Sequence, residues 1–300
     1  MPIYLNTNNK LKEVEEKAFK LERDIQRVFE ENLDTIMQLT LVKSEFTIKN
    51  KRIDTLAYDM QSNAFIIIEY KRDRNLSVVD QGFTYLSLML ENKADFIVEY
   101  NESLKKNLKR DDIDWSQTRV AFVSTAFTDN QILATNFKDI AIELWEVKQF
   151  ENNIISVTPI KKTRAAESIK TITQQNQALR KVSDEIKVYT EDEHIAKASE
   201  EIAELYVKFR DAILNLADGI EVKPVKQYIA FKTDRNITDI VIQRNSLKLH
   251  INAKWGRIDD TKGIARDVSG MGIWGSGEYE IQVTNDRDLE YIMSLIKQVI

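Results

Sequence analysis

The chain has 300 residues, 43% hydrophobic and 30% charged, enough apolar material to bury a core and too much for a compositionally disordered protein. Eight glycines and three prolines exclude fibrous repeats, no apolar run reaches the roughly 18–20 residues of a membrane helix, and zero cysteines exclude disulfides and cysteine-ligated zinc or iron–sulfur sites. Forty-three basic against 48 acidic residues leave a formal charge of -5, so any contact with nucleic acid needs a local cationic patch or bound cations. The absence of cysteine and of a basic-then-apolar leader in the first residues leads us to expect a protein of the reducing cytoplasm.

Apolar residues at three- and four-residue steps from Leu11 to Met37 predict one amphipathic helix. Two β-rich runs follow, Phe46 to Tyr58 and Phe65 to Tyr70, joined by the turn-forming string from Asp59 to Asn63, and together they predict a hairpin. Ser77 with Asp80 resembles a helix start, and Val78, Val79, Phe83, Leu86, Met89 and Leu90 carry a helical period. Phe96 to Tyr100 and Val120 to Ser124 are strand-like, a helix opens near Thr128, and Ile140 to Val147 and Ile154 to Ile160 are strand-like again. Residues 161–200 are polar, with Gln174, Gln175 and Gln177, and predict a helical linker. Beyond them a helix at Ile202 to Leu216, strands at Tyr228 to Lys232, Asp239 to Ile242 and Leu247 to Asn252, and a closing helix at Leu289 to Ile300 predict a second domain. The organisation expected is 1–160, 161–200 and 201–300: an α/β domain with a mixed sheet flanked by helices, a linker, and a smaller α+β domain.

The residues that point to chemistry are Lys51-Arg52-Ile53-Asp54, then Phe65 to Ile68 running into Glu69-Tyr70-Lys71, then Gln81 and Tyr85. Strand alternation puts Glu69 and Lys71 on one face, and a hairpin turning near Gln61 pairs Asp54 with about residue 68, so two carboxylates and an ammonium converge. Such a cluster suits Mg²⁺ or Mn²⁺, hard cations that take oxygen ligands and keep several waters, and metal-assisted phosphodiester hydrolysis follows as its chemistry. Lys71 would help position the attacking water or stabilise the developing negative charge as an electrostatic clamp. Gln81 and Tyr85, one helical turn apart, would support the site or touch a nucleic-acid backbone, and Arg52, Arg72 and Arg74 add local positive charge. The run Lys105 to Arg110 is followed at once by Asp111, Asp112 and Asp114 and fits a solvated loop. His194 and His250 share no motif and fit surface or structural roles. The glycine-rich stretch from Gly270 to Gly277 has no Gly-Lys-Ser/Thr, so it is not a Walker phosphate loop, and Trp274 in it fits an aromatic packed on a turn.

At these positions the chain resembles the PD-(D/E)XK nuclease superfamily, and within it the endonucleases of the mismatch-specific type. Lys51-Arg52-Ile53-Asp54, Glu69-Tyr70-Lys71-Arg72 and Gln81 to Tyr85 stand where that group has Gly-Arg-x-Asp, Glu-Leu-Lys-Arg and Gln-x-x-x-Tyr. Lys51 departs from the usual Gly, and Ile53 from the Pro of the superfamily name. The resemblance implies a restriction-endonuclease-like fold, Asp54 and Glu69 as metal ligands with the Tyr70 carbonyl, Lys71 as catalytic lysine, and a helix acid at Glu22, with Glu30 and Glu31 as further candidates. It further implies a DNA endonuclease of repair or of defence against foreign DNA, with RNA left open as a substrate and a homodimer as its assembly. The competing reading is a degenerate nuclease fold that binds or scaffolds nucleic acid without cutting it. The C-terminal half resembles a domain of unknown function that accompanies such nuclease-like domains, through Lys226 to Lys232 and the segment entering Tyr279 to Val283.

Overall fold

The computed structural model describes residues 2–72, 78–137, 139–163, 166, 168, 182, 184–270 and 276–300. The helix-start motif at Ser77, Arg74, the glutamines at 174–177 and Trp274 with its flanking glycines therefore lie outside the described residues. The chain divides into two compact units, Met1–Lys187 and Val188–Ile300. The described ends of the polar segment are shared between them: Val182 and Ile186 are buried in the core of the first unit, whereas Ile195 packs on the core of the second. No helix among the described residues is long and apolar enough to cross a membrane.

The first unit begins with β1 (Tyr4–Thr7), β2 (Lys10–Glu13) and β3 (Glu16–Lys17), then α1 (Glu22–Glu31) and α2 (Leu33–Met37). The single helix expected from Leu11 to Met37 is thus a small exposed hairpin, a two-residue strand and two short helices. Leu11 points into solvent and Leu21 is the exposed residue that opens α1, so the apolar spacing is genuine only from Ile25 onward. There follow β4 (Thr40–Ile48), β5 (Lys51–Asp59), β6 (Ala64–Lys71), α3 (Val78–Glu91), α4 (Lys93–Leu104), β7 (Arg119–Ser124), α5 (Asp129–Thr135), β8 (Ile142–Phe150) and β9 (Ile155–Ile160). Phe96 to Tyr100, expected as a strand, lies in α4; Phe96 and Tyr100 are a helical turn apart and both are buried. Thr128 caps α5 by accepting the Gln131 N–H, the reciprocal arrangement that makes this helix start readable.

The seven-stranded sheet runs β3-β8-β7-β6-β5-β4, with β9 also on β8. The β4–β5–β6 meander is antiparallel, whereas β6, β7 and β8 are parallel. This mixed sheet has helices on both faces. Phe65 and Ile67 of β6 join Phe83, Leu86, Met89 and Phe96 of α3 and α4 in one core; Ile66, Ile68 and Tyr70 join Ile25, Phe29 and Leu33 of α1 and α2 in another. A central strand buried on both faces has no solvent side to alternate with, which explains the unbroken apolar run from Ala64 to Ile68. Each fully buried Ile contributes about 2 kcal/mol. Gly82 lets α3 dock closely on this sheet, since a Cβ there would stand 2.5 Å from Ile142 Cδ1.

The second unit comprises α6 (Glu191–Ile195), α7 (Glu200–Leu214), β10 (Glu221–Pro224), β11 (Ile229–Lys232), β12 (Asn236–Ile242), β13 (Leu247–Ile251), β14 (Arg266–Asp267), β15 (Tyr279–Val283) and α8 (Leu289–Ile296). Its sheet, β10-β11-β12-β13-β15-β14, is antiparallel throughout. Ile240, Leu249 and Ile281 stand side by side across three strands and pack with Phe209, Ile213 and Ile292 of α7 and α8. On the opposite face the same register lines up Asp239, His250, Glu280 and Arg266.

Candidate active site

The end of β6 carries the polar residues that interrupt its apolar run. Glu69 and Lys71 share a face, and Lys71 Nζ donates to Glu69 Oε1 at 2.8 Å. Gln81, one turn into α3, donates its side-chain amide to the same Oε1 at 3.0 Å and to the Tyr85 hydroxyl at 3.3 Å. Tyr85 in turn gives its proton to the Arg52 carbonyl at 3.4 Å. Burial and the charge of Glu69 push the Tyr85 hydroxyl up, so it stays protonated. Two donors thus converge on one oxygen of Glu69, while Oε2 is buried with no hydrogen-bond donor, although the residue is only 4% exposed.

Asp54 reaches this cluster through the register of the β5–β6 ladder. Thr55 pairs with Ile68 rather than Asp54 doing so, which brings Asp54 opposite Glu69, one residue from the register expected. Ile53 and Leu56 both enter the α3/α4 core, whereas Thr55 and, across the ladder, Ser44 turn to α1. The pleat therefore reverses in both strands at once, at Asp54 and at its neighbour Glu45, which adopts the left-handed φ of 51° that a residue with a side chain rarely takes. Asp54 Oδ2 then accepts the main-chain N–H of Tyr70 at 3.1 Å. Burial, and next the adjacent Glu69 charge, raise the Asp54 carboxyl to about 6 against the pull of the Tyr70 N–H, Lys71 and Arg52. At Lys71 burial works against the charge, but the hydrogen bond it donates to Glu69 and the charges of Glu69, Asp54 and Glu22 prevail and hold the ammonium above its ordinary range.

The other expected residues fall around this pair. Glu22 opens α1 and accepts the Arg72 main-chain N–H at 3.0 Å, so it borders the end of β6. Arg72 donates through Nη1 to the Lys20 carbonyl and accepts Thr125 Oγ1 on its own carbonyl. Arg52 is exposed, 3.9 Å from Glu45. Glu30 instead accepts Thr55 Oγ1 and the Gln26 amide, and Glu31 lies in the lining of the cleft between α1 and β4. The Tyr70 ring points away from the acids and packs edge-on against Phe29, leaving only its main chain at the site. Buried Gln26, which also bonds Ser44 Oγ and the Asp54 carbonyl, escapes the sequence reading; its one sequence signal is the i,i+4 spacing to Glu30.

The donor set suits a hard divalent cation: oxygen donors alone, one of them buried and bare, with two carboxylates close enough to repel each other. Among the described residues no group of three or more His, Cys, Asp or Glu side chains is gathered so that it could hold a metal ion, and Asp54 and Glu69 form a pair of carboxylates only. The histidines have structural partners in the second unit. His194 meets the Val225 carbonyl at 2.7 Å, and His250 meets Glu280 at 3.2 Å.

Over its whole length the chain matches an uncharacterized protein of Haemophilus influenzae (strain ATCC 51907 / DSM 11121 / KW20 / Rd), with 54% identity over 300 residues covering 100% of this chain and 99% of that one. The chain belongs to that protein's family. Residues 191–298 match a domain described as a domain of unknown function, DUF5655, so the second unit of this family member is that domain nearly end to end. Among solved structures, a repair endonuclease from Pyrococcus abyssi shares a region covering 44% of this chain and 50% of that chain at 16% identity and a TM-score of 0.25, a value at which no common fold is established.

Proposed function

We propose that the first unit is a divalent-cation-dependent endonuclease hydrolysing phosphodiester bonds in DNA, working in the cytoplasm in repair or in defence against foreign DNA. The observation that carries this reading is the bare, buried Oε2 of Glu69 beside the Asp54 carboxylate. An unpaired buried carboxylate oxygen costs several kcal/mol of lost solvation, and a cation would restore that loss. Asp54 and Glu69 would hold Mg²⁺ or Mn²⁺, joined by the Tyr70 carbonyl. When bound, the ion supplies polarisation of a phosphoryl oxygen and acidification of a water.

The chain's own residues do the rest. Lys71, held protonated by its acidic neighbours, offsets negative charge gathering on the phosphorus oxygens and is fixed in place by Glu69 Oε1. Gln81 and Tyr85 brace that oxygen so that Oε2 keeps its direction. Glu22 fixes the main chain at Arg72 and adds negative potential at Lys71. Arg52 and Arg72 supply positive charge at the rim for the flanking phosphates. Cutting both strands of a duplex would take two copies of the site, hence a homodimer.

The test is incubation of labelled single-stranded, duplex, branched and mismatched DNA, and of RNA, with Mg²⁺, Mn²⁺ or EDTA, beside the Lys71→Ala and Asp54→Asn variants. Products that require both metal and Lys71 support the reading. Undiminished cutting by folded Lys71→Ala, or no metal-dependent product on any substrate, overturns it. Salt-sensitive binding without products would leave the binding or scaffolding role on the same fold.

A further inference from the structure

Two clefts flank the carboxylate pair, and their charges are opposite. The larger, about 570 Å³, lies between α1 and β4 and adjoins Asp54 through Gln26 and Glu45. Its lining sets Arg23 and Arg27 against Asp24, Glu30, Glu31 and Glu45, an acidic balance that repels a polyanion. The smaller, about 350 Å³, is formed where three parallel strands end: Arg72 follows Lys71 out of β6, Thr125 follows β7, and Lys148 and Gln149 lie at the end of β8, with Lys17 of β3 closing the side. Here Lys17, Arg72 and Lys148 face one lining carboxylate, Glu16. Lys148 is held by Glu146 at 3.1 Å from outside the lining and by Glu16 at 3.8 Å, so the lining itself sets three cations against one acid while two carboxylates share Lys148.

Position agrees with charge. In open sheets with parallel strands, ligands collect beyond the carboxyl ends of those strands. The main chain of Arg72 is held on both sides, its N–H by Glu22 and its carbonyl by Thr125, and this rim of the cleft is only one residue from Lys71. Hydroxyl and amide donors from Thr125 and Gln149 add neutral contacts of the kind that phosphate oxygens accept.

We infer that this smaller cationic cleft, and not the larger acidic one, carries the sugar-phosphate backbone of one nucleic-acid strand next to the scissile phosphate, with Lys17 and Lys148 as phosphate contacts independent of base sequence. This rests on the nuclease reading of the adjoining carboxylates. A duplex would lay one of its strands along it.

The experiment measures anisotropy of a labelled 30-mer, single-stranded or duplex, whichever wild type binds more tightly, in EDTA across a salt series. It compares wild type, Lys17→Ala/Lys148→Ala and Arg23→Ala/Arg27→Ala, all checked by thermal melting. The lysine pair is expected to weaken binding about ten-fold near physiological salt and to reduce the slope of log affinity against log salt by roughly 1.4–1.8, the loss of two phosphate contacts. The arginine pair is expected to stay within about two-fold. If the lysine pair binds as wild type does, or the arginine pair has the larger effect, the inference is overturned while metal-dependent cleavage by wild type leaves the nuclease reading standing. Loss of binding in the lysine pair with no cleavage by wild type keeps the cleft and removes the hydrolysis. No nucleic-acid binding by wild type overturns both.

Discussion

Glu69 in the first unit and Glu280 in the second are buried almost equally, 4% and 6% exposed, yet they are served in opposite ways. Glu280 has both oxygens engaged: Arg266 meets Oε1 at 2.7 Å, and His250 and Lys248 meet Oε2 at 3.2 and 3.5 Å. Its partners hold it below the ordinary carboxylate range despite burial, and burial keeps His250 low and neutral. Glu69 receives two donors on one oxygen and none on the other. A buried acid with complete partnership braces a sheet; a buried acid left half-partnered beside a second carboxylate has been positioned for something outside the chain.

The contrast can be broken at four points. The largest effect is expected at Lys71→Ala, which should lower metal-dependent cleavage by about 10³-fold, the scale of losing one preorganised electrostatic group, while the melting temperature stays put. A comparable loss of folding in place of activity would make Lys71 a structural residue. Next, Glu280→Ala should destabilise the second unit by about 3 kcal/mol in urea melts, because Arg266, Lys248 and His250 lose their shared acceptor. Unchanged stability would mean that the row across that sheet is not a brace.

The third point is titration. Asp239, wholly buried, is raised to about 6 by desolvation even though Asn236 and Ser276 donate to it. A carboxyl raised on folding binds its proton more tightly in the folded state, so its contribution is complete below about pH 4 and is lost as pH rises through 6, on the order of 3 kcal/mol. Urea melts of wild type and Asp239→Asn should therefore converge at low pH and separate above 6. Asp54 has the same sign, but Mg²⁺ should flatten its share and leave that of Asp239 untouched; equal flattening of both would remove the distinction. The smallest effect is that of Glu69→Gln, in which the like charge removed from Asp54 and the ion pair lost by Lys71 oppose each other, so the stability of the metal-free protein should change by no more than about 1 kcal/mol. The same substitution should abolish the stabilisation by Mg²⁺ or Mn²⁺, about 2.7 kcal/mol at a hundred times the dissociation constant, measured as a melting shift.

The sequence reading located the acids because they interrupt an apolar strand at fixed spacing, and the twofold alternation of β6 puts Glu69 and Lys71 together without any tertiary knowledge. Long-range partners were beyond it. Nothing local announces that Glu22 meets an amide 50 positions away, or that Gln81 and Lys71 choose the same oxygen. The pleat reversal at Glu45 and Asp54 was illegible for a different reason: glutamate carries no preference for the left-handed region, so its conformation is imposed by the packing of Phe46 and Ile53 on one side and Ser44 and Thr55 on the other. Phe96 to Tyr100 shows the ambiguity of short aromatic runs, which satisfy a strand period and a helical turn alike until neighbouring elements decide.

Gly82 gives the site a dimension that its polar residues do not set. The helix that carries Gln81 lies close on the sheet with Gly82 against Ile142, where a Cβ would stand 2.5 Å from Ile142 Cδ1 and push that side chain or the helix aside. Gln81 travels with that backbone, and its 3.0 Å reach to Glu69 has only about half an ångström to spare before the hydrogen bond is lost. A greasy contact on the buried flank of α3 thus works as the depth stop for a polar contact on its rim, and a single methyl group that pushed the helix outward there would be enough to let the amide fall short.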